Sequence, residues 1–386
     1  MSKIAIIGAG AAGCFAAQRI KELCPGAEVE LFEAQDRPLK KVAITGGGRC
    51  NLTNSFEQVG DLREVYPRGH QLLKRLMYAW SQWDTMSWFE ERGVALVTQE
   101  DECVFPRSQR AMEIVNTLKR GLTIHCGRRT SLDDLKGYDA IIVTTGGSRT
   151  FSWLEDAGVE IVAPIPSLFP FKLQASGLEQ LSGALVQDSV AMIGGTKFRA
   201  QGTTLITHNG VSGPCILRLS SYAARYLAEH GYTAPLVMNW LGDTTEEEAL
   251  QMLKDMAKEN AQKMVVNTHP EQLTSRHWEH LVQRAGIGKE VRWNGMGQKQ
   301  MNRLASVLTS DTYQIVGRVP HKEEFVTAGG VSLNSVSSTT LECKTRPGLY
   351  FAGEVLDVDG VTGGFNLQAA WTMADAVARA VAEKYQ

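Results

Sequence analysis

Apolar positions along this chain fall into two patterns: short unbroken runs that end in glycine, and longer stretches that repeat at helical spacing. Ile4-Ala5-Ile6-Ile7 runs into Gly8 and reads as a strand over 3–7, followed by a helix over 11–23 and a strand over 28–32 ending at Glu33. Strand, glycine turn, helix and strand make a βαβ unit, which predicts a parallel sheet in a Rossmann-like α/β fold. Leu73, Leu76, Met77, Trp80, Trp83, Trp88 and Phe89 lie near helical spacing over 72–92 and predict one helix with a buried face. A helix over 110–119, a strand over 122–126 and an apolar run over 138–144 follow, the last ending in Gly146 and Gly147.

Between 164 and 241 the pattern changes to short β-prone runs broken by Gly, Pro and Asn, without strand–helix alternation. That texture predicts a β-rich domain, a small barrel or sandwich. From 244 to 308 it turns helical: Thr245 stands before Glu246, Glu247 and Glu248, and Leu250, Leu253 and Met256 recur at helix spacing. We expect an insertion of two or three helices there. β texture returns over 313–319 and 324–333, and a strand over 348–352 and a helix over 368–383 close the chain. The expected organisation is an α/β domain split into 1–162 and 325–386, a β-rich domain of 163–243 and 309–324, and a helical insertion of 244–308.

The glycines carry the chemistry. A helix start leaves backbone N–H groups unpaired at the positive end of the helix dipole, so it accepts a pyrophosphate where no side chain blocks the approach. In Gly8-x-Gly10-x-x-Gly13, Gly8 makes the tight turn, Gly10 admits the phosphates beside Ala12, and Gly13 lets helix and strand pack. Glu33, about 20 residues on, is placed to accept the ribose hydroxyls of an adenosine. FAD and NAD share this fingerprint, and the C-terminus chooses between them. Gly353-Glu354, then Gly363-Gly364-Phe365-Asn366 opening a helix, add a second backbone-amide nest, suited to the negative charge of reduced flavin. A third loop, Thr45 through Asn54, holds Gly46, Gly47 and Gly48 followed by Arg49, Cys50 and Asn51. Three glycines allow close approach to a planar ring, and Arg49 or Lys41 meets phosphate or developing charge.

The 386 residues exceed one ordinary core, and a formal net charge of -2 gives no global reason to bind polyanions. Any polyanion must meet a local patch. Seven scattered cysteines without a Cys-x-x-Cys pair argue against a disulfide framework or a zinc site and for a reducing compartment. No apolar run approaches membrane-spanning length, so the chain reads as a soluble cytoplasmic protein with no membrane partner.

The string 41–54, Val104-Phe105-Pro106, the segment 207–214, Ala328-Gly329-Gly330-Val331 and the segment 348–368 together resemble the YhiN/BaiN-type flavoproteins, described as NAD(P)/FAD-dependent or aminoacetone-oxidase-like enzymes. The likeness runs through almost the whole length in the family's motif order. It departs in the helical insertion and in the loop after Gly147, which lacks a few residues. It implies a two-dinucleotide-binding-type FAD domain split across both termini, a β-barrel-like middle domain and a small helical domain. Carried over residue by residue, it implies that Gly8, Gly10, Gly13 and Glu33 hold the adenosine diphosphate. Lys41, Gly47, Gly48, Arg49, Cys50 and Asn51 then lie along the pyrophosphate-to-flavin stretch. Gly353, Glu354, Gly364, Phe365 and Asn366 line the ribityl and ring, with Thr145 and Gly146 close by.

Members of that family are linked to reduction of a uridine in large-subunit ribosomal RNA to dihydrouridine, others to bile acids or aminoacetone. The resemblance therefore implies an NAD(P)H-using flavin reductase of ribosomal RNA or its precursor. A flavin oxidase or reductase of a small amine or enone is the alternative, and a non-catalytic FAD-binding module is a third reading. NADPH or NADH would serve as a transient reductant, since no second Gly-x-Gly-x-x-Gly lies in the middle of the chain. Uridine reduction needs a hydride at the pyrimidine C6 and a proton at C5 from a general acid, for which Cys50 and His208 are the candidates. An RNA substrate also asks for local positive charge. Over 249–303 nine cations face five acids, with Trp278 and Trp293 interleaved, a composition suited to gripping phosphates and stacking on bases and equally ordinary for a solvated helical face.

Overall fold

The computed structural model describes residues 1–319 and 326–385. Its backbone contacts divide the chain into two compact units, Met1–Pro166 with Val326–Gln386, and Ser167–Phe325. Glu324 and Phe325, where a returning strand and a domain boundary are expected, lie outside the described residues.

The first unit is built on a five-stranded parallel sheet in the order Leu349–Phe351, Ala140–Val143, Lys3–Ile7, Glu28–Phe32, Thr123–His125. Ile4, Ala5, Ile6 and Ile7 are all buried, as expected of a central parallel strand covered on both faces. The helices Ala11–Leu23 and Phe365–Tyr385 pack together, with the Phe15 and Trp371 rings 5.2 Å apart and Arg19 donating to the buried Asp375 at 2.8 Å. A small antiparallel sheet of Thr53–Asn54, Cys103–Pro106 and Leu96–Thr98 flanks them.

The single helix expected over 72–92 is two, His70–Leu76 and Gln82–Glu90. Ser81 and Asp84 form a capping box that starts the second helix afresh, and the break shifts the phase of the apolar face. Trp80 and Trp88 are buried edge-on against Phe15 at 5.5 and 4.8 Å, whereas Trp83 is 53% exposed.

The second unit is a closed antiparallel barrel of six strands, Leu185–Ile193, Arg199–Thr207, Gly210–Ser212, Phe171–Leu173, Asp311–Arg318 and Ala234–Asn239. Two helices that the texture did not announce, Pro214–Tyr222 and Ala224–Glu229, interrupt it, and Cys215, Ile216 and Leu219 of the first are wholly buried. Three helices, Glu246–Glu259, Ser275–Arg284 and Gln298–Ser310, precede the strand Asp311–Arg318 that closes the barrel. Here the expected base-stacking tryptophans are corrected. Trp278 and Trp293 are 0% and 1% exposed and stack on each other at 6.4 Å, because they are core of this helical layer. Several of its cations are paired, Lys258 with Asp255, Lys289 with Glu279 and Arg284 with Asp311. No helix among the described residues is long and apolar enough to cross a membrane.

Candidate cofactor site

In the parallel sheet, Glu28–Phe32 and Thr123–His125 lie on one side of Lys3–Ile7, and Ala140–Val143 and Leu349–Phe351 on the other. All five strands run parallel, but the order in which the chain adds them switches sides between Lys3–Ile7 and Ala140–Val143, and ligands bind such sheets at the carboxyl ends of the strands beside that switch. The three fingerprint glycines sit there for three different reasons. Gly8 has φ +100°, and a Cβ on it would stand 2.6 Å from the Thr144 carbonyl oxygen. A Cβ on Gly13 would lie 2.0 Å from the Gly8 oxygen, and the Thr144 hydroxyl, which donates to that oxygen at 2.7 Å, locks the contact. Around Gly10 nothing approaches within 4 Å. Gly10 therefore opens space at the start of the helix Ala11–Leu23, whereas Gly8 and Gly13 close it. Ala12 is buried, and its methyl group would lie 2.9 Å from a Cβ on Gly353, so the helix start abuts the C-terminal glycine turn.

Glu33 is half-buried and held on both carboxylate oxygens, by the Ala9 N–H and the Gln35 N–H, each at 2.8 Å. The acid is thus pinned to the glycine turn, with lone pairs remaining for further donors.

The helix Lys40–Gly48, which runs into the loop Thr45 through Asn54, is helical only to its midpoint. Thr45 is extended and Gly46, Gly47 and Gly48 have φ of +58°, +69° and +82°, with open space above Gly47 and Gly48. Arg49 lies over the Phe105 ring at 4.3 Å and donates from Nε to the Gly46 carbonyl at 3.1 Å. Cys50 donates its N–H to Thr45 O at 3.0 Å, and its thiol is wholly buried. Burial pushes that thiol up to about 12, so it keeps its proton at neutral pH and stays out of solvent's reach. N-ethylmaleimide is expected to modify the exposed Cys126 in the folded protein, and Cys50 only after denaturant is added. Peptide mass mapping that found Cys50 labelled in the native state would contradict this.

The two ends of the sequence meet around this loop. With its amide oriented to satisfy both neighbours, Asn51 donates to Thr53 O at 2.9 Å and accepts from the Gly364 N–H at 3.2 Å. Thr53 donates to Gln368 at 2.7 Å, and Trp371 Nε1 donates to Leu52 O at 3.0 Å. Gly364 has φ +89°, and a Cβ on it would strike Thr53 O at 2.3 Å. Nearby, Lys41 Nζ meets Glu354 Oε2 at 3.0 Å, while Glu354 Oε1 accepts from the Thr327 N–H at 2.9 Å. Gly146 faces the same carboxylate, and Thr145 is exposed beside the Gly8 turn. Phe365 is 3% exposed in a ring cluster with Phe56 and Tyr66, and Asn366 clamps Gly360 through reciprocal hydrogen bonds of 2.8 Å. Both sit at the start of the closing helix and fix the turn that enters it. Sequence reasoning missed Thr144, Thr327 and Tyr66, whose hydroxyl donates to Phe365 O at 2.8 Å. Thr144 carried a signal, standing directly before Thr145-Gly146-Gly147. His208 belongs to the other unit, exposed on the turn after Arg199–Thr207 and 3.0 Å from the Asn209 amide.

The structure thus offers an open glycine at a helix start, a fixed acid, and a glycine loop with open backbone, joined to a second amide-rich helix start from the far end of the chain. That donor set fits FAD.

A family model for the Rossmann domain of HI0933-like proteins matches residues 2–137, and the same family's barrel and H2TH domain model matches residues 165–326. The chain is 29% identical, over an alignment 411 positions long with gaps, to the ribosomal RNA dihydrouridine synthase of Escherichia coli, covering 97% of this chain and 96% of that protein. It is 27% identical to the protein of the same name from Haemophilus influenzae, over 98% of each. To the 3-dehydro-bile acid delta(4,6)-reductase of Clostridium scindens it is also 27% identical, over 100% of each. Matched by both domain models over most of its length, this chain belongs to the HI0933-like family of FAD-dependent flavoprotein oxidoreductases.

Proposed function

We propose that this protein reduces a uridine of 23S ribosomal RNA to dihydrouridine, drawing reducing equivalents from NADPH or NADH. The observation that carries the reading is the likeness, end to end, to two relatives named ribosomal RNA dihydrouridine synthase. FAD, when bound, supplies the hydride chemistry. The chain's own residues hold and orient it. Gly8, Gly10, Ala12, Gly13 and Glu33 take the adenosine diphosphate end, Lys41, Gly47, Gly48, Arg49 and Asn51 the middle stretch, and Thr145, Gly146, Gly353, Glu354 and Gly364 the ribityl and ring end. Phe365, Asn366 and the buried Cys50 set the shape of those backbone turns. Cys50 is walled off, and His208, an exposed imidazole, is the candidate for delivering the proton. His208→Asn is expected to retain flavin and lose product formation.

Glu33→Ala is expected to weaken FAD binding by about 1.5–3 kcal/mol, the worth of a charged hydrogen-bond acceptor, or roughly ten- to a hundredfold in Kd. Titration of apo-protein with FAD, followed by flavin fluorescence, measures it. The function itself is tested by mapping dihydrouridine in 23S rRNA from a strain lacking the gene. Loss at one site, restored by the gene, is expected; an unchanged map rejects the RNA substrate. Anaerobic mixing with NADPH and NADH should bleach the flavin, and no bleaching with either would reject the nicotinamide donor. Reduction of a steroid enone in place of RNA would favour the chemistry named for the bile-acid relative.

A further inference from the structure

The strand Cys103–Pro106 leads through Ser108, Gln109 and Arg110 into the helix Ala111–Lys119. Ile114, Val115 and Leu118 bury one face of that helix, so Met112 and Asn116 stand on its outer face. Against Arg92 and Gly93, this outer face encloses an open groove of about 420 Å³, lined by Arg92, Ser108, Arg110, Glu113, Asn116 and Arg120. Arg92 is held firmly, over the Trp88 ring at 3.8 Å, donating to Trp88 O at 2.8 Å and paired with Glu22. Arg110 and Arg120 are exposed, and their guanidinium groups have no partner among the described residues. The groove's acid, Glu113, accepts the Ser108 hydroxyl. Val94 and Met112 also line the groove, and no aromatic side chain among the described residues does, so its directional contacts are charge and hydrogen bonds.

Spacing decides what kind of anion fits. Arg110 and Arg120 flank the two ends of the nine-residue helix, their backbones about 15 Å apart by helical rise, so the positive charge is spread along the groove instead of gathered at one point. A strand with successive phosphates matches that spread. The groove also adjoins the cofactor loop, since Arg49 donates to Gln109 Oε1 at 3.4 Å and Gln109 sits between Ser108 and Arg110. We propose that this groove grips the phosphodiester backbone of an RNA strand beside the flavin site. The inference rests on the ribosomal RNA reading above and names the surface that would serve it.

The test uses the flavin-loaded full chain and a fluorescein-labelled oligouridylate of about 12 nucleotides, followed by anisotropy over a range of salt. Arg110→Ala with Arg120→Ala is expected to weaken binding about ten- to thirtyfold at about 0.15 M salt and to lower the salt slope by about 1.4, the counterion-release effect of two lost phosphate contacts on a single strand. Glu113→Gln should tighten binding, and a control pair on the helical layer, Lys254→Ala with Lys299→Ala, should bind as the native protein does. Unchanged flavin content and melting temperature show the variants folded. The proposal is overturned if the native protein does not bind the probe, if the double arginine variant binds it equally well, or if the control pair loses as much. It is also overturned if the arginine variant keeps RNA binding and slows flavin bleaching by NADPH, which would assign the groove to the nicotinamide nucleotide. The dihydrouridine map stands apart: its loss in the deletion strain alongside unaltered RNA binding by the arginine variant would reject this groove alone.

Discussion

Gly10→Val is expected to give a folded protein without flavin. The backbone at Gly10 is extended, with φ −86° and ψ −162°, which a β-branched residue adopts readily, and no atom lies within 4 Å of its Cβ position. The substitution therefore costs little in the apo-protein, and its two methyl groups fill the space a pyrophosphate needs at the helix start. Flavin per mole of purified protein should fall to roughly a tenth or less of the native value while the apo melting temperature holds. Gly13→Ala makes the contrast. Its methyl group would stand 2.0 Å from the Gly8 oxygen and 2.5 Å from the Thr144 hydroxyl, so it should cost about 1–3 kcal/mol or more as overpacking of the turn itself. Absorbance at the flavin band and thermal melting separate the two. Native flavin content in Gly10→Val would remove the pyrophosphate from this helix start.

Acid is expected to weaken the second unit through His277. This imidazole is 1% exposed, edge-on to the Trp240 ring at 4.6 Å, and neither ring nitrogen has a partner among the described residues. Burial, with a smaller push from His280, drives it down to about 3 from the ordinary 6.5. The unfolded chain takes up a proton as pH falls below about 6.5, and the folded one resists until about 3. Stability is therefore fully present above that upper limit and declines steadily toward the lower one, by on the order of 3 kcal/mol at about pH 4. His277→Phe keeps a ring against Trp240 and removes the titration. The urea midpoint of the native protein should drop between about pH 7 and pH 4, and that of the variant should drop less. Equal acid losses in both proteins would place the sensitive group elsewhere.

Much of the fold was legible because its signals are local. The strand through Ile4 to Ile7, the turn at Gly8 and the helix after it need only their own few residues to declare themselves. So did the helical layer, where Thr245 and Glu248 form the capping box their spacing implies. Where the reading failed, a local signal had been outweighed by a longer pattern. Ser81 and Asp84 cap a new helix in the middle of an apolar stretch that read as continuous, and Gly213-Pro214 starts a helix inside a texture that read as β. Trp278 and Trp293 sit among cations, and composition does not tell which side of a helix faces the core.

The glycine spacings and apolar runs by themselves determined a dinucleotide-type sheet at the start of the chain, a matching glycine turn at its end, a β-rich middle and a helical layer, because each rests on residues within one or two turns of one another. Tertiary structure decided what each group is for. Thr144, more than 130 residues away, crowds Gly8 and Gly13, whereas nothing brought in by the fold crowds Gly10. Cys50 is a sealed thiol only because the chain folds over it, and Asn366 turns to clamp Gly360. Arg92, Arg110 and Arg120 share a groove only because the turn after Gln82–Glu90 comes to lie against the helix Ala111–Lys119. Burial and through-space contact are properties of neighbours brought together by folding, and a sequence lists neighbours only along the chain.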